Sequence, residues 1–198
     1  MTADDLSASV YEYCQTLSEE DNNRVTCASS IAWTAHARQF RRDGSPYIVH
    51  PMRVALSLAN EFDQPDPTIF CAALLHDVLE DSNQFSPEAI AKACGADVLE
   101  IVQAVTYVAG KHDTPEEKAR CKYQRAFNGG ENAWWVKLAD RVDNLRDTAA
   151  LSDTPKNQRF KVRYYHESCQ YGMMASRLRS DKVFKALQEA LTAIEAVV

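Results

Sequence analysis

The sequence predicts an all-α fold, and three observations support this. Apolar residues recur at three- and four-residue steps, which is the spacing of one face of a helix. The clearest example is the stripe of Val98, Ile101, Val102 and Val105. Capping residues stand directly before prolines suited to a first helical turn, at Asp66-Pro67, Ser86-Pro87 and Thr154-Pro155. Because no segment is rich in strand patterns, we expect a single compact helical bundle with few or no strands.

Local start and stop signals divide the chain into ten expected helices. The three proline signals begin the fourth, fifth and ninth of them, and Gly95 separates the fifth from the sixth. Thr114 and Glu117 form a capping box at the start of the seventh helix. Residues 128–130, Asn-Gly-Gly, separate the seventh helix from the eighth. The expected helices lie near 5–18, 24–40, 51–62, 67–80, 87–94, 96–108, 115–127, 132–150, 155–178 and 181–197.

Length and composition restrict the class of protein. The 198 residues suffice for one domain, with a motif-bearing core at about 25–150 and further helices at 151–198. A net charge of -6 argues against nucleic-acid binding through bulk charge. No apolar stretch approaches the length of a membrane span, and the first residues lack a signal-peptide pattern, so a cytoplasmic protein is expected. Six scattered cysteines without a C-x-x-C pair predict free thiols.

The run at residues 74–81, Leu-Leu-His-Asp-Val-Leu-Glu-Asp, carries the most chemistry. On a continuous helix, His76 would stack under Glu80, and Asp77 under Asp81, because residues four apart share a face. This arrangement would offer two metal ligands in one turn and two carboxylates in the next. It suits metal-assisted hydrolysis, in which one carboxylate orients water and the other transfers a proton. The sequence does not assign those two roles.

Two other segments offer further metal ligands. His50 stands before a proline expected to open a helix, and Asp140 and Asn144 are four apart on another predicted helix. His50, His76, Asp77 and Asp140 make a mixed imidazole and carboxylate set that suits Mn²⁺, Fe²⁺ or Zn²⁺. Each motif alone is more often an ordinary core or solvated residue. Together they place polar groups where burial is costly, and a shared ion would explain that placement.

The same segments resemble a known family. His50, His76-Asp77 and Asp140 are similar to the H…HD…D signature of the HD metallohydrolase superfamily. Residues 39–51, 72–81, 105–106 and 136–146 resemble the hydrolase motifs of RelA/SpoT-type alarmone enzymes. The second segment contains the HDxxED pattern, which is much more specific than an HD pair alone. The match covers about two thirds of the chain.

The resemblance implies an HD-domain helical fold and a stringent-response activity. That activity is removal of the 3′-pyrophosphate from ppGpp or pppGpp, which gives GDP or GTP and pyrophosphate, typically with Mn²⁺. It implies His50, His76, Asp77 and Asp140 as metal ligands, Glu80 and Asp81 as the catalytic pair, and Arg41, Arg42 and Asn144 as nucleotide contacts. Since the chain leaves no room for synthetase and regulatory domains, it resembles a small, stand-alone hydrolase similar in size to metazoan SpoT homologues.

One position departs from the family pattern. Family members commonly carry His or Tyr before the motif asparagine, whereas this chain has Asp143. A carboxylate there would disfavour an anionic substrate if it faced the pocket, and it would have no effect if it faced solvent.

Basic residues for an anionic nucleotide occur in two groups. Arg38, Arg41 and Arg42 precede His50, where arginine forks suit phosphate and where a helix end also favours cations. The second group could reach a distal pyrophosphate, although such a run is more often an exposed helix face. It comprises Lys111, Lys118, Arg120, Lys122 and Arg125.

Other functions stay open on the sequence alone. The chain could hydrolyse another nucleotide, such as an adenine alarmone or NADPH, or act as an antitoxin through the same reaction. A non-catalytic nucleotide sensor is a third hypothesis. The presence of both Glu80 and Asp81 argues against it, because a non-catalytic site would be expected to have lost one of these carboxylates. Tyr164, Tyr165, His166 and the Met173-Met174 pair are typical of core or dimer contacts, which leaves a homodimer open.

Overall fold

The computed structural model describes residues 2–107 and 114–197, and these ranges are helical without a β-strand. Phe40 and Pro46 form one isolated antiparallel bridge. The described helices are α1 (Ala3–Cys14), α2 (Glu19–His36), α3 (Val49–Asn60), α4 (Pro67–Leu75), α5 (Val78–Asp81), α6 (Pro87–Cys94), α7 (Ala96–Val105), α8 (Pro115–Asn128), α9 (Glu131–Ala149), α10 (Pro155–Cys169), α11 (Gly172–Arg177) and α12 (Asp181–Glu195). The all-α prediction is confirmed for these ranges.

The start and stop signals lie where the sequence predicts them. Asp66, Ser86 and Thr154 accept hydrogen bonds from backbone N–H groups of α4, α6 and α10, and each precedes a proline in the first turn. Thr114 and Glu117 form the expected capping box of α8. Gly95 separates α6 from α7 with a φ of 107°, which a residue with a Cβ rarely adopts.

Two predicted helices are interrupted in the structure. The helix expected at 67–80 ends at Leu75 and resumes as the short α5 at Val78, so His76 and Asp77 form the junction. The helix expected at 155–178 is likewise divided into α10 and α11. In addition, α3 begins at Val49, before Pro51. His50 therefore lies inside the first turn of α3 and not ahead of it.

The site is positioned by helices α3, α4 and α9, which pack against one another. Their inward faces are apolar and fully buried, as at Val54, Leu74 and Leu138, so burial of these side chains holds the three helices together. All six cysteines are free thiols, three of them buried, as the sequence predicts. None of the described helices combines the length and apolar character that crossing a bilayer requires.

Candidate metal centre and active site

Four side chains from three distant segments meet beside the central helices. His50 Nε2 lies 3.2 Å from His76 Nε2, and Asp77 Oδ2 lies 3.1 Å from His76 Nε2. The ligand atoms of His50, His76 and Asp77 all lie within 4.8 Å of one another. Asp140 Oδ1 stands beside them, 3.2 Å from His50 Nε2 and 3.7 Å from His76 Nε2. The structure thus brings together all four residues that the sequence predicts as ligands.

The hydrogen bonds behind the two imidazoles direct their lone pairs at one point. His76 Nδ1 lies 2.7 Å from the Ala73 carbonyl, which can only accept, so Nδ1 carries the proton. His50 Nδ1 lies 2.7 Å from the Asp143 carboxylate and donates in the same way. Both Nε2 atoms therefore present lone pairs at close range, next to carboxylates. Such a set needs a cation among its members, and its donor atoms fit a divalent transition metal.

The electrostatics of the cluster agree with a cation site. Burial lowers the pKa of His76, but the Asp77 and Asp140 carboxylates raise it by more than burial lowers it. The pKa of His76 therefore lies well above its ordinary value. The negative carboxylates favour a positive charge at this position, where the two histidine side chains are at most 2% exposed to solvent. A bound divalent ion would meet the same need.

The break between α4 and α5 explains how adjacent residues reach one ion. On a continuous helix, neighbouring side chains point about 100° apart and do not face each other. Asp77 instead has φ -101° and ψ -6°, outside ideal helical geometry. The expected continuous helix through His76 is therefore wrong, and His76 does not stack under Glu80 on one helix. The physical reason is that His76 and Asp77 turn toward the same point. Asp77 and Asp81 remain one turn apart, because the Asp81 N–H bonds the Asp77 carbonyl at 2.9 Å.

Asp140 is held by its neighbours on α9. Its Oδ2 accepts a 2.7 Å hydrogen bond from Lys137 Nζ, and its Oδ1 accepts one from Asn144 Nδ2. Burial raises the pKa of the Asp140 carboxyl, but the Lys137 ammonium and the two histidines lower it well below its ordinary value. The carboxylate is thus ionised in a site where an unpaired charge would be costly.

Tyr47 supports the other carboxylate. Its hydroxyl donates a 2.7 Å hydrogen bond to Asp77 Oδ2. Burial and the Asp77 carboxylate raise the pKa of Tyr47, so the hydroxyl stays protonated and acts as a donor. Its spacing of three residues from His50, in a turn entering a helix, is the signal that could have placed this tyrosine in the site.

Glu80 and Asp81 lie at the edge of the cluster on α5. Glu80 Oε1 accepts a 2.6 Å hydrogen bond from Lys122 Nζ of α8, and Glu80 Oε2 accepts one from the Tyr107 N–H at 3.2 Å. Asp81 lies at the rim, where partial burial and the carboxylates of Asp77 and Glu80 raise its pKa. Lys122, from the second basic group, thus contacts a predicted catalytic carboxylate. Lys111 of that group lies outside the described residues.

Asp143 faces neither the substrate side nor solvent. Its Oδ1 accepts from Arg53 Nε at 2.7 Å, and its Oδ2 accepts from Arg53 Nη2 at 2.8 Å and from His50 Nδ1 at 2.7 Å. Both alternatives expected for this position are therefore wrong, because the carboxylate lies within the protein, paired with an arginine. The helix period puts Asp143 three residues from Asp140, but its distant partner Arg53 leaves no signal in the local sequence.

Arg41 and Arg42 occupy different surroundings. Arg41 Nη2 bonds Asp147 Oδ2 at 2.7 Å and Asn144 Oδ1 at 2.9 Å. Asn144 thereby connects Arg41 to Asp140. Arg42 is exposed, and its guanidinium lies 4.0 Å from the ring centroid of Phe160.

Two adjoining cavities open at the cluster. The smaller, of about 420 Å³, includes Asp77, Glu80, Asp81 and Asp140 in its wall. The larger, of about 740 Å³, includes Arg41, Arg42 and Phe160. Tyr47, Asn144 and Tyr164 line both cavities, so the two cavities lie side by side. Five cationic side chains also line the smaller cavity: Lys118, Lys122, Lys137, Arg141 and Arg163.

A helical fold that gathers two histidines and one aspartate from helix ends, and a second aspartate from the middle of α9, has the architecture of an HD-type metal-binding domain. The family model described as "HD domain" matches residues 28–166. The chain therefore belongs to the HD domain family, in which a divalent metal is expected at the cluster described above.

Comparison with individual proteins shows which members of the HD domain family the chain is similar to. The chain is 32% identical to mouse (Mus musculus) "Guanosine-3′,5′-bis(diphosphate) 3′-pyrophosphohydrolase MESH1" over 166 residues, which covers 82% of this chain and 91% of that protein. Its identity to the Xenopus tropicalis protein of the same name is 39% over 122 residues, 61% of this chain and 66% of that one. A solved structure described as "A metazoan ortholog of SpoT hydrolyzes ppGpp and plays a role in starvation responses" superposes with a TM-score of 0.70 and 28% identity, covering 86% of this chain and 94% of that one. The predicted resemblance to SpoT-type hydrolases is confirmed.

Proposed function

We propose that this chain is a manganese-dependent hydrolase that removes the 3′-pyrophosphate from ppGpp and pppGpp. The products are GDP or GTP and pyrophosphate. The observation that carries the proposal is the convergence of His50, His76, Asp77 and Asp140 at a cavity that also contains Glu80 and Asp81. The proposed substrate rests on the similarity to proteins named for this activity, among them the mouse protein, which the match covers over 91% of its length.

The cluster provides the metal chemistry. His50, His76, Asp77 and Asp140 would hold the ion, with Mn²⁺ as the proposed species and Fe²⁺ or Zn²⁺ as alternatives that fit the same donors. When bound, a divalent cation lowers the pKa of water and polarises a phosphoryl oxygen. Side chains of the protein would orient the attacking water, transfer the proton and bind the nucleotide.

Glu80 and Asp81 are the proposed catalytic pair. Lys122 and the Tyr107 N–H fix the Glu80 carboxylate in one orientation, so Glu80 is suited to hold the attacking water. The raised pKa of Asp81 suits a group that accepts the proton of that water and returns it to the leaving 3′-oxygen. The P–O bond to the 3′-oxygen breaks as the bond to water forms, so the atoms of water end on the two products.

The two adjoining cavities suit the two ends of the nucleotide. The wall of the smaller cavity holds five cationic side chains and five carboxylates, and Lys122, Lys137 and Arg163 each pair with one of those carboxylates. A pyrophosphate there would be bound by the metal ion together with Lys118 and Arg141. The larger cavity, with Arg41, Arg42 and Phe160, suits the nucleoside and the 5′-phosphates. Asn144 lies between the cavities and is proposed to contact the nucleotide there.

A substrate panel tests this proposal directly. Purified protein with Mn²⁺ is incubated with ppGpp, pppGpp, an adenine alarmone and NADPH, and pyrophosphate and orthophosphate are measured separately. We expect pyrophosphate and GDP from ppGpp, and loss of activity when EDTA removes the metal. Orthophosphate from NADPH would assign the chain to another nucleotide. Intact ppGpp that is nevertheless bound tightly would identify a sensor. Repeating the assay with Fe²⁺, Zn²⁺ and Mg²⁺ identifies the preferred ion.

Arg41→Ala is expected to weaken substrate binding more than turnover. Loss of a charged hydrogen-bond donor costs about 1.5–3 kcal/mol, which corresponds to a rise in KM of about 10- to 150-fold. Steady-state kinetics with ppGpp measure the effect. The matched control is Arg146→Ala, because Arg146 pairs with Glu61 on the surface, away from both cavities, and should leave KM unchanged. A reduced unfolding temperature with an unchanged KM would make Arg41 a structural residue.

A further inference from the structure

The position that departs from the family pattern touches a predicted metal ligand. The carboxylate of Asp143 lies 2.7 Å from Nδ1 of His50, and its side chain is only 8% exposed. The opposite ring nitrogen of His50 faces the cluster, 3.2 Å from both His76 Nε2 and Asp140 Oδ1. Asp143 therefore contacts the ring nitrogen of His50 that points away from the cluster, and it is not among the residues that line the smaller cavity.

Three N–H groups point at the Asp143 carboxyl group, one from His50 and two from Arg53. A carboxylate paired with a guanidinium can only accept, so it keeps the proton of His50 on Nδ1 and the lone pair on Nε2. Outer partners of this kind fix the tautomer and ring orientation of a ligating histidine and increase its basicity.

Arg53 holds this carboxylate in place. His50 and Arg53 are three residues apart on α3 and so share a face, while Asp143 approaches from α9. The guanidinium bonds both oxygens of Asp143, at 2.7 and 2.8 Å, in the fork geometry that arginine favours. It also bonds Asp147 Oδ2 at 2.7 Å. The charge of Asp143 is thus paired, which reduces its repulsion of an anionic substrate.

We propose that Asp143, clamped by Arg53, is a positioning residue that holds the His50 imidazole toward the cation and strengthens metal binding. This inference rests on the metal-dependent hydrolase proposed above. The competing explanation is an ion pair that only stabilises the contact between α3 and α9. The two explanations differ in what happens to metal affinity when the carboxylate is removed.

Asp143→Asn is the decisive variant. Asparagine has one acceptor oxygen where Asp143 uses two for three N–H donors, so its amide NH₂ group would face an N–H of Arg53 or His50 and the clamp would be disrupted. We expect the Kd for Mn²⁺, measured from free Mn²⁺ by electron paramagnetic resonance, to rise about 10- to 100-fold. Excess Mn²⁺ should restore most of kcat, because Asp143 does not contact the cavity that holds the substrate.

Asp147→Asn is the matched control. It makes the same chemical change four residues along α9 and removes another partner of Arg53, but Asp147 makes no contact with His50. We expect its Kd for Mn²⁺ to stay within about twofold of the wild-type value, since its carboxylate lies outside the ligand shell. If Asp143→Asn fails to fold, Asp143→Asn with Arg53→Gln removes both charges together, and the Mn²⁺ affinity of that double variant decides instead.

The outcomes separate the inference from the proposed function. A lower unfolding temperature with unchanged Mn²⁺ affinity in Asp143→Asn would overturn the positioning role. Equal losses of affinity in the Asp143 and Asp147 variants would also overturn it. Wild-type protein that binds Mn²⁺ without hydrolysing ppGpp would contradict the proposed function alone, because the comparison of affinities would still stand. Wild-type protein that binds no Mn²⁺ would contradict both.

Discussion

His76→Ala is expected to remove bound metal and catalytic turnover together. His76 Nε2 lies at the centre of the cluster, within 3.7 Å of His50, Asp77 and Asp140. Removing an outer-shell partner costs about 10- to 100-fold in metal affinity, so removing a direct ligand should cost more. Metal content by mass spectrometry and hydrolysis of ppGpp in the same preparation measure both effects, and we expect turnover below the detection limit.

The control for this variant is His166→Ala. His166 is an exposed residue of α10 whose ring faces Tyr165, away from the cluster. The same substitution there should leave metal content and turnover unchanged, since single surface substitutions seldom matter. Circular dichroism verifies that both variants keep their helical content. A folded His76→Ala protein that retains its metal would disprove the ligand role of His76.

Glu80→Gln is expected to keep the metal and lose turnover. The substitution preserves size and removes only the charge of a carboxylate that lies beside the ligand cluster. Losing the carboxylate that holds the attacking water would misplace that water, and a misplacement of about 1 Å can cost about 10²-fold in rate, so we expect kcat to fall by at least about that factor. The metal content should match that of the wild-type protein, because the hydrogen-bond partners of Glu80 are Lys122 and the Tyr107 backbone and not the candidate metal ligands. Steady-state kinetics and metal analysis test the two halves of the prediction.

Glu100→Gln provides the matched comparison. Glu100 is exposed on α7 and makes no described contact with the cavity, so its kcat should be that of the wild-type protein. Because Lys122 is partly exposed, solvent can compensate the loss of its partner in Glu80→Gln, and the unfolding temperature should change little. An unchanged rate in Glu80→Gln would show that Glu80 does not hold the attacking water, and only Asp81 of the proposed pair would keep a catalytic role.

The helices were largely predictable because their signals are local. The capping box of Thr114 and Glu117, the prolines that begin α4, α6 and α10, and Gly95 each act through neighbouring backbone groups. The interruption between α4 and α5 was not predictable in this way. The apolar run that begins at Ala72 continues through Leu79 without glycine or proline, so only the convergence of His76 and Asp77 reveals the break.

The chemical identities of the candidate ligands could be predicted, but their supports could not. His50, His76, Asp77 and Asp140 stand out as polar residues in apolar segments. Lys137 and Asn144 lie at helical spacing from Asp140 and were partly visible. The contacts of Asp143 with Arg53, and of Glu80 with Lys122, join residues 90 and 42 positions apart.

The sequence by itself determined the helical class of this protein, most of its helix ends and the residue types that gather at the cluster. Those features depend on backbone dihedrals and hydrogen bonds within a few residues, which a local pattern records. Only the tertiary structure decided that His76 and Asp77 leave the helix, that Asp143 lies behind His50 and that Lys122 fixes Glu80. These contacts depend on how α3, α8 and α9 pack, and packing is set by the whole core and not by any one segment.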